Sequence, residues 1–270
     1  MRWLFRRFHL SPNGYYNYQK NTKAQYQAQK KNSLRKIVEI YHKNNGVPGY
    51  RMMAAYLRLD GIYYSDQTIY KYMKELGLRS IVRRKKPHHI KGNAHKVFPD
   101  LLNQDFDVTN SSQVWVTDFT YMPFSNGSFI YNCTIIDLFK RKAVATLNGS
   151  KIDAKLALDT LALAISRNTP PKGLILHSDQ GSQFTSKVFV EYCMKHHIQQ
   201  SMSRAGCPYD NAPMERFFNT FKNEFYNLYD FKSAEMLNRM TYDFVYIKYN
   251  NLRPHQYNDG LPPNVALRVA

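Results

Sequence analysis

Val114-Trp115-Val116-Thr117-Asp118-Phe119-Thr120-Tyr121 alternates two sets of side chains, with Asp118 falling in the set that contains Val114 and Val116. A period of two is that of a strand whose successive residues face opposite sides of a sheet, so the pattern sets a carboxylate on a face that also carries valines. Downstream, Asn126-Gly127 is a hairpin signal that returns the chain into a second strand from Phe129 to Leu138, and Ala143 to Leu147 reads as a third. Helical spacing of Leu156, Leu161, Ala164 and Ile165 follows, and Pro170-Pro171-Lys172-Gly173 then leads into the apolar run Leu174-Ile175-Leu176. That run ends at His177-Ser178-Asp179. A helix from Ser186 to His196, a strand near Ile198 to Ser203 and a helix from about Pro213 complete the order βββαβαβα. Proline suits a first helical turn. Functional groups of mixed α/β sheets collect where strands end and loops diverge, and Asp179 has such a place.

The last helix has two faces. Glu215, Asn219 and Lys222 lie at offsets of four and seven, while Phe217, Phe221 and Phe225 recur every four residues on an adjoining stripe. Polar groups therefore look toward a cleft while the aromatic rings pack. Asp118, Asp179 and Glu215 together supply hard oxygen ligands from three separate elements. Mg²⁺ prefers such a set, and two ions held close together serve an in-line displacement at phosphorus. Taken singly, each acid has a plainer reading: a paired strand carboxylate at Asp118, a helix or turn cap at Asp179, and a first-turn acid favoured by the helix dipole at Glu215.

Context decides between these readings. Trp115-Val116-Thr117-Asp118-Phe119-Thr120-Tyr121, His177-Ser178-Asp179-Gln180-Gly181-Ser182-Gln183-Phe184 and Asp210-Asn211-Ala212-Pro213-Met214-Glu215-Arg216-Phe217-Phe218 resemble, in order, the three signature blocks of insertion-sequence transposases of the retroviral-integrase (DDE) superfamily. The 35 residues between Asp179 and Glu215 match that family's spacing, and Lys222 matches its basic residue seven beyond the glutamate. Leu10-Ser11-Pro12-Asn13-Gly14-Tyr15-Tyr16 and Gly49-Tyr50-Arg51 resemble its N-terminal motifs, and Tyr249-Asn250-Asn251-Leu252-Arg253-Pro254-His255 its C-terminal one.

The resemblance implies an α/β RNase H-like integrase core, a mixed five-stranded sheet with flanking helices, preceded by a small all-α helix-turn-helix domain. It further implies Asp118, Asp179 and Glu215 as catalytic and metal-binding residues, with two Mg²⁺ or Mn²⁺ ions. The implied reaction is cleavage at the ends of a mobile element and strand transfer into target DNA. The implied partners are double-stranded DNA, further copies of the chain in a multimer on that DNA, and an upstream reading-frame product as fusion or partner, this chain being the second-frame subunit. Two rivals keep parts of this picture: a non-enzymatic DNA-binding regulator of transposition, which binds without nicking, and an RNase H-like nuclease, which cuts without joining.

The rest of the chain is read from its charge. Residues 1–99 hold 21 Lys and Arg against 4 Asp and Glu, a net of +17, whereas residues 100–270 hold 17 against 16. No acid interrupts the chain from Met1 to Val38 or from Leu76 to Pro99. Solubilising surfaces mix both signs, so a polyanion is the expected partner. Three short helices are predicted over residues 33–77. The first carries Leu34, Ile37, Val38 and Tyr41, and the second spans Arg51 to Arg58; the third begins after the N-cap Ser65 and meets Gly77 as a C-cap. In a helix-turn-helix module the start of the last helix faces the major groove, which singles out Ser65, Asp66, Gln67, Thr68 and Lys71. Arg83, Arg84, Lys85 and Lys86 open a basic, proline-containing stretch expected to lie along phosphates. His88 and His89 have no third ligand at metal spacing, and read as surface residues.

The expected division is a basic N-terminal segment over residues 1–32, a helix-turn-helix-like DNA-binding domain over 33–80, a basic linker over 81–112, and the catalytic core with a C-terminal helical extension over 113–270. Cys133, Cys193 and Cys207 lie too far apart for a disulfide framework or a zinc site, and no apolar run is long enough for a signal peptide or membrane span. A bacterial cytoplasmic location is expected.

Overall fold

The structure, a computed structural model, describes residues 2–20, 22–81, 97–124 and 127–266. The basic run Arg83-Arg84-Lys85-Lys86, the pair His88-His89 and the turn residue Asn126 lie outside the described residues. The chain divides into two compact units, Met1–Val82 and Arg83–Ala270.

The first unit is helical: α1 (Arg2–Arg7), α2 (Pro12–Gln19), α3 (Thr22–Lys43), α4 (Tyr50–Leu59) and α5 (Asp66–Glu75). Ile37 and Ile40 of α3, Met53 and Leu57 of α4, and Ile69, Tyr72 and Met73 of α5 form its apolar core. The third helix starts as expected: Ser65 Oγ accepts from Thr68 N at 3.3 Å. It also ends as expected, since Gly77 has φ +68° and Leu78 N donates to Met73 O at 2.9 Å, closing the helix end around a left-handed residue. The first of the three helices is longer than its apolar stripe predicts. Its first turns, Lys23-Ala24-Gln25 through Lys30-Lys31, are strong helix formers without an apolar period, so propensity extends the helix where periodicity is silent. The stretch before it is helical too, with Pro12 in the first turn of α2 and Phe5 buried against the Tyr15 and Tyr16 rings.

The second unit contains β1 (Val114–Pro123), β2 (Phe129–Asp137), β3 (Lys142–Gly149), α6 (Ala154–Asn168), β4 (Ile175–Ser178), α7 (Lys187–Lys195), β5 (Gln199–Met202), α8 (Ala212–Glu224) and α9 (Ala234–Tyr242). The expected order βββαβαβα is the observed one. The five strands make one sheet in the order β3-β2-β1-β4-β5, antiparallel across the first three and parallel from β1 through β4 to β5. Each face has its own core. Trp115, Ile135 and Leu176 pack with Ala157 and Leu161 of α6 and Phe189 of α7. Val114, Val116 and Ile136 pack with Met214, Phe217 and Phe221 of α8 and Phe244 and Tyr249 farther on.

Beyond α9 the helix widens over Asp243–Leu252 into π-type winding, an uncommon form that leaves Arg253 N bonded to Lys248 O at 2.7 Å. From that stretch Asn250 receives a hydrogen bond from Ala143 N (3.0 Å) and donates one to Ala143 O (2.9 Å), occupying backbone groups along β3 where no further strand pairs. No helix among the described residues is long and apolar enough to cross a membrane.

Candidate active site

Strand register sets the two aspartates. β1 and β4 run parallel with Val114 opposite Ile175 and Val116 opposite His177, an offset of 61 residues. The same offset carries Asp118 to Asp179, which stands one residue beyond the end of β4. Neighbouring strands lie about 4.8 Å apart, so Asp118, midway along β1, lies beside the end of β4 from which Asp179 departs. Val114, Val116 and Met122 lie in the core beneath α8, and alternation gives Asp118 that same side. Both charges also act on one atom: the buried Cys133 thiol is pushed up to about 12, first by burial and further by Asp118 and Asp179, against hydrogen bonds with Thr160 and Thr117.

Local structure holds each of them. Asp118 Oδ1 accepts from Phe119 N at 2.7 Å, and Asp179 Oδ1 from Gly181 N at 3.0 Å. A side chain at Gly181 would set its Cβ 2.9 Å from Asp179 Oδ1 and 2.0 Å from Gln183 Nε2. A larger residue here would need the Gln183 side chain to move and would crowd the Asp179 carboxylate. Phe184 is fully buried, its ring 5.4 Å from that of Phe119, which fastens the loop after Asp179 to the residue following Asp118. His177 is buried between Ser201 Oγ (2.8 Å) and Ser203 Oγ (3.1 Å), and burial holds its pKa below the ordinary histidine range.

Glu215 sits in the first turn of α8, exposed, while Phe217, Phe221 and Phe225 below it form a buried ladder with ring centroids 6.1 and 5.1 Å apart. The two faces expected of this helix are present. Lys222 is half-buried, its Nζ 4.1 Å from the centre of the Tyr121 ring on β1. Among the described residues no three His, Cys, Asp or Glu side chains stand together as a metal-holding group. The fold thus pairs Asp118 with Asp179 and leaves the Glu215 side chain in solvent. The three candidate carboxylates fit a hard divalent cation in kind, with no soft ligand among them.

In the helical unit, Gln67 and Lys71 are exposed on α5. The hydroxyls of Ser65 and Thr68 face each other at 2.9 Å, and Asp66 pairs with Arg58 at 3.5 Å, so these three are engaged in or beside the helix cap.

Sequence reasoning missed a polar cluster beside the triad. Asp210 is fully buried, yet its carboxylate accepts from Arg204 N, Nε and Nη2, each at 2.9 Å, and from Gln104 Nε2 at 2.7 Å. The hydrogen bonds from Arg204 hold its pKa far below the ordinary carboxylate range. Only its place in the third sequence block hinted at it; Gln104 comes from 106 residues away. Arg253 makes a second buried pair, donating twice at 2.7 Å to Glu224 at the end of α8.

Known proteins match this arrangement. An HTH-like domain family matches residues 28–86, and integrase core domain families match residues 109–208 and 196–263. The transposase for insertion sequence element IS904 of Lactococcus lactis is 34% identical over 229 residues, covering 84% of this chain and 90% of the relative. Transposase InsF for insertion sequence IS3A of Escherichia coli is 32% identical over 208 residues, 77% of this chain and 72% of that one. A cryo-EM structure of a simian T-cell lymphotropic virus intasome, in complex with PP2A regulatory subunit B56 gamma, has a TM-score of 0.52 at 15% identity over 80% of this chain and 71% of that chain, a likeness of fold alone.

Proposed function

The chain belongs to the insertion-sequence transposases of the retroviral-integrase superfamily, and on that premise we propose that Asp118, Asp179 and Glu215 carry out its DNA transposition as one metal-holding set. The observation that carries this reading is the shared offset of 61 residues that aligns Asp118 with Asp179 on adjacent parallel strands beneath the α8 face. Two divalent ions, Mg²⁺ or Mn²⁺, when bound supply the activation of an attacking oxygen and the stabilisation of a leaving one. The protein's part is position. Asp118 and Asp179 are fixed by the sheet, Glu215 reaches in from the first turn of α8, and the Phe217-Phe221-Phe225 ladder keeps that helix seated. Lys222 sets a positive charge two helical turns from Glu215, suited to a phosphate next to the scissile bond.

DNA is held by the basic first 99 residues, with Gln67 and Lys71 of α5 toward the major groove, Ser65 and Thr68 fixing the start of that helix, and Arg83, Arg84, Lys85 and Lys86 along phosphates. The active form is a multimer on element ends and target DNA, joined or assisted by an upstream reading-frame product. The test incubates purified protein with labelled element-end DNA and Mg²⁺. Nicked and joined products are expected. Binding without nicking would leave a regulator, and nicking without joining a nuclease.

A further inference from the structure

We infer that the Arg204–Asp210 pair, together with Asn211, is a positioning device that sets Glu215 against the two aspartates. This rests on the proposed triad.

The short loop from Ser203 to Asn211 touches all three carboxylate-bearing elements through their immediate neighbours. At its start, Ser203 N donates to Ser178 O (2.9 Å) and Ser203 O accepts from Gln180 Nε2 (3.1 Å), the residues on either side of Asp179. Across its middle, Arg204 grips the Asp210 carboxylate with its backbone N–H and two guanidinium nitrogens, and Cys207 bridges the interval, its N donating to Arg204 O (3.2 Å) and its O accepting from Asp210 N (3.1 Å). At its end, Asn211 Nδ2 donates to Thr117 O at 3.1 Å, and Thr117 precedes Asp118. Asn211 leads directly into Ala212, where α8 begins, three residues before Glu215. The loop therefore fixes where the glutamate's helix starts by reference to the backbone at both aspartates.

The chemistry of the grip supports position over bulk stability. Arg204 is more than half exposed and Asp210 fully buried, so the carboxylate's charge is met by a side chain that returns to it from the surface. A planar guanidinium using two nitrogens fixes orientation as well as distance, which one ammonium does not. Asn211 is buried and holds a single backbone carbonyl through its amide, with its own Oδ1 buried and lacking a hydrogen-bond partner. An aliphatic residue would meet less desolvation cost there, so the amide is retained for the Thr117 bond. Groups that orient metal ligands typically change metal affinity about 10–100-fold when removed.

The test uses the full-length protein and Mn²⁺ alone, measuring the thermal midpoint against Mn²⁺ concentration for native protein, Arg204→Ala, Arg204→Lys, Asn211→Ala and Asp118→Asn. The expected result is about a tenfold higher Mn²⁺ concentration to reach a given rise above each protein's own metal-free midpoint in Arg204→Ala and Asn211→Ala, an intermediate value in Arg204→Lys, and no stabilisation in Asp118→Asn. A merely structural role would lower the metal-free midpoint without moving the Mn²⁺ concentration needed. If Arg204→Ala and Asn211→Ala respond at the native Mn²⁺ concentration while Asp118→Asn does not respond, the positioning role is wrong and the triad stands. If Asp118→Asn responds as the native protein does, the triad reading falls and takes this inference with it.

Discussion

Among the described residues the helical unit keeps its acidic residues at the surface, whereas the sheet unit also buries some. All four acids among the first 99 residues sit in surface ion pairs: Glu39 and Asp60 with Lys36, Asp66 with Arg58, and Glu75 with Lys30. Such pairs are worth about 0–1 kcal/mol each, and 21 Lys and Arg against four acids leave a large cationic excess for a polyanion. The sheet unit has surface pairs of the same kind, Lys155–Asp159, Lys187–Glu191 and Lys232–Asp230, but it also takes three acids inside. Asp137 accepts from Ser112 N, Ser111 Oγ and Phe139 N, Asp210 from Arg204 and Gln104, and Glu224 from Arg253. Buried and multiply bonded, those acids fix geometry. On the proposed function, affinity for DNA is thus built from surface charge in one unit, and reaction geometry from interior hydrogen bonds in the other.

The largest effect should come from the triad. Asp118→Asn, Asp179→Asn and Glu215→Gln are each expected to lower cleavage and joining by about 10³-fold or more, because residues that act as one unit fail together, while end-DNA binding stays near native. Metal-free thermal stability should stay level or rise, since neutralising one carboxylate relieves repulsion in the set. A variant that turns over normally would remove that residue from the site. Loss of DNA binding in step with loss of cleavage would break the division between the units.

Acid should separate them next. His255 is held down to about 3, by burial first and then by the positive charges of Arg253, Arg141 and Arg216. A histidine kept neutral in the folded state binds its proton only on unfolding, so stability is complete above the unfolded value of 6.5 and falls as pH drops toward 3. The loss should reach a few kcal/mol. Denaturation followed through the buried Trp115 at several pH values checks this, and His255→Gln should lessen the dependence, with the buried His177, also held below its ordinary range, supplying the remainder. His9 and His42 of the helical unit are exposed, and that unit should not share the loss. Equal acid sensitivity in both units would count against the assignment.

A smaller change is expected on α5. Lys71→Ala should weaken binding to all DNA sequences alike and make the slope of log K against log salt shallower by about one, whereas Gln67→Ala should relax sequence preference and keep the slope. A native salt slope in Lys71→Ala would remove that helix from the phosphate surface.

What was legible follows from how local each signal is. The alternation around Asp118, the Pro213 start of α8 and its aromatic ladder are written within one element, and each appears where expected. The start of α3 at Thr22 was hidden because propensity, not periodicity, makes it. The crowding around Gly181 comes from the Gln183 and Asp179 side chains, whose placement the sequence does not show. Asp210 depends on Gln104 and Arg204, and Asn250 on Ala143, contacts across loops or about 100 residues that no window of sequence shows. The proposed ligands could therefore be read from sequence, and the contacts that hold their surroundings could not.

The smallest effect concerns Lys222, the residue with a claim on both kinds of charge use. Its Nζ lies 4.1 Å over the Tyr121 ring, three residues beyond Asp118 on β1, and that contact alone is worth about 0.5–1 kcal/mol. If the lysine's work ends there, Lys222→Ala and Tyr121→Leu should lower thermal stability by similar small amounts and leave DNA crosslinking unchanged. If it meets a phosphate beside the scissile bond, Lys222→Ala should reduce end-DNA crosslinking severalfold, whereas Tyr121→Leu keeps most of it because the ammonium remains on the same helix face. Lys222→Arg then distinguishes charge from shape: a cation suffices for a phosphate, and crosslinking should return. Unchanged crosslinking in Lys222→Ala would make this lysine a packing residue and remove it from the DNA-holding charge of the chain.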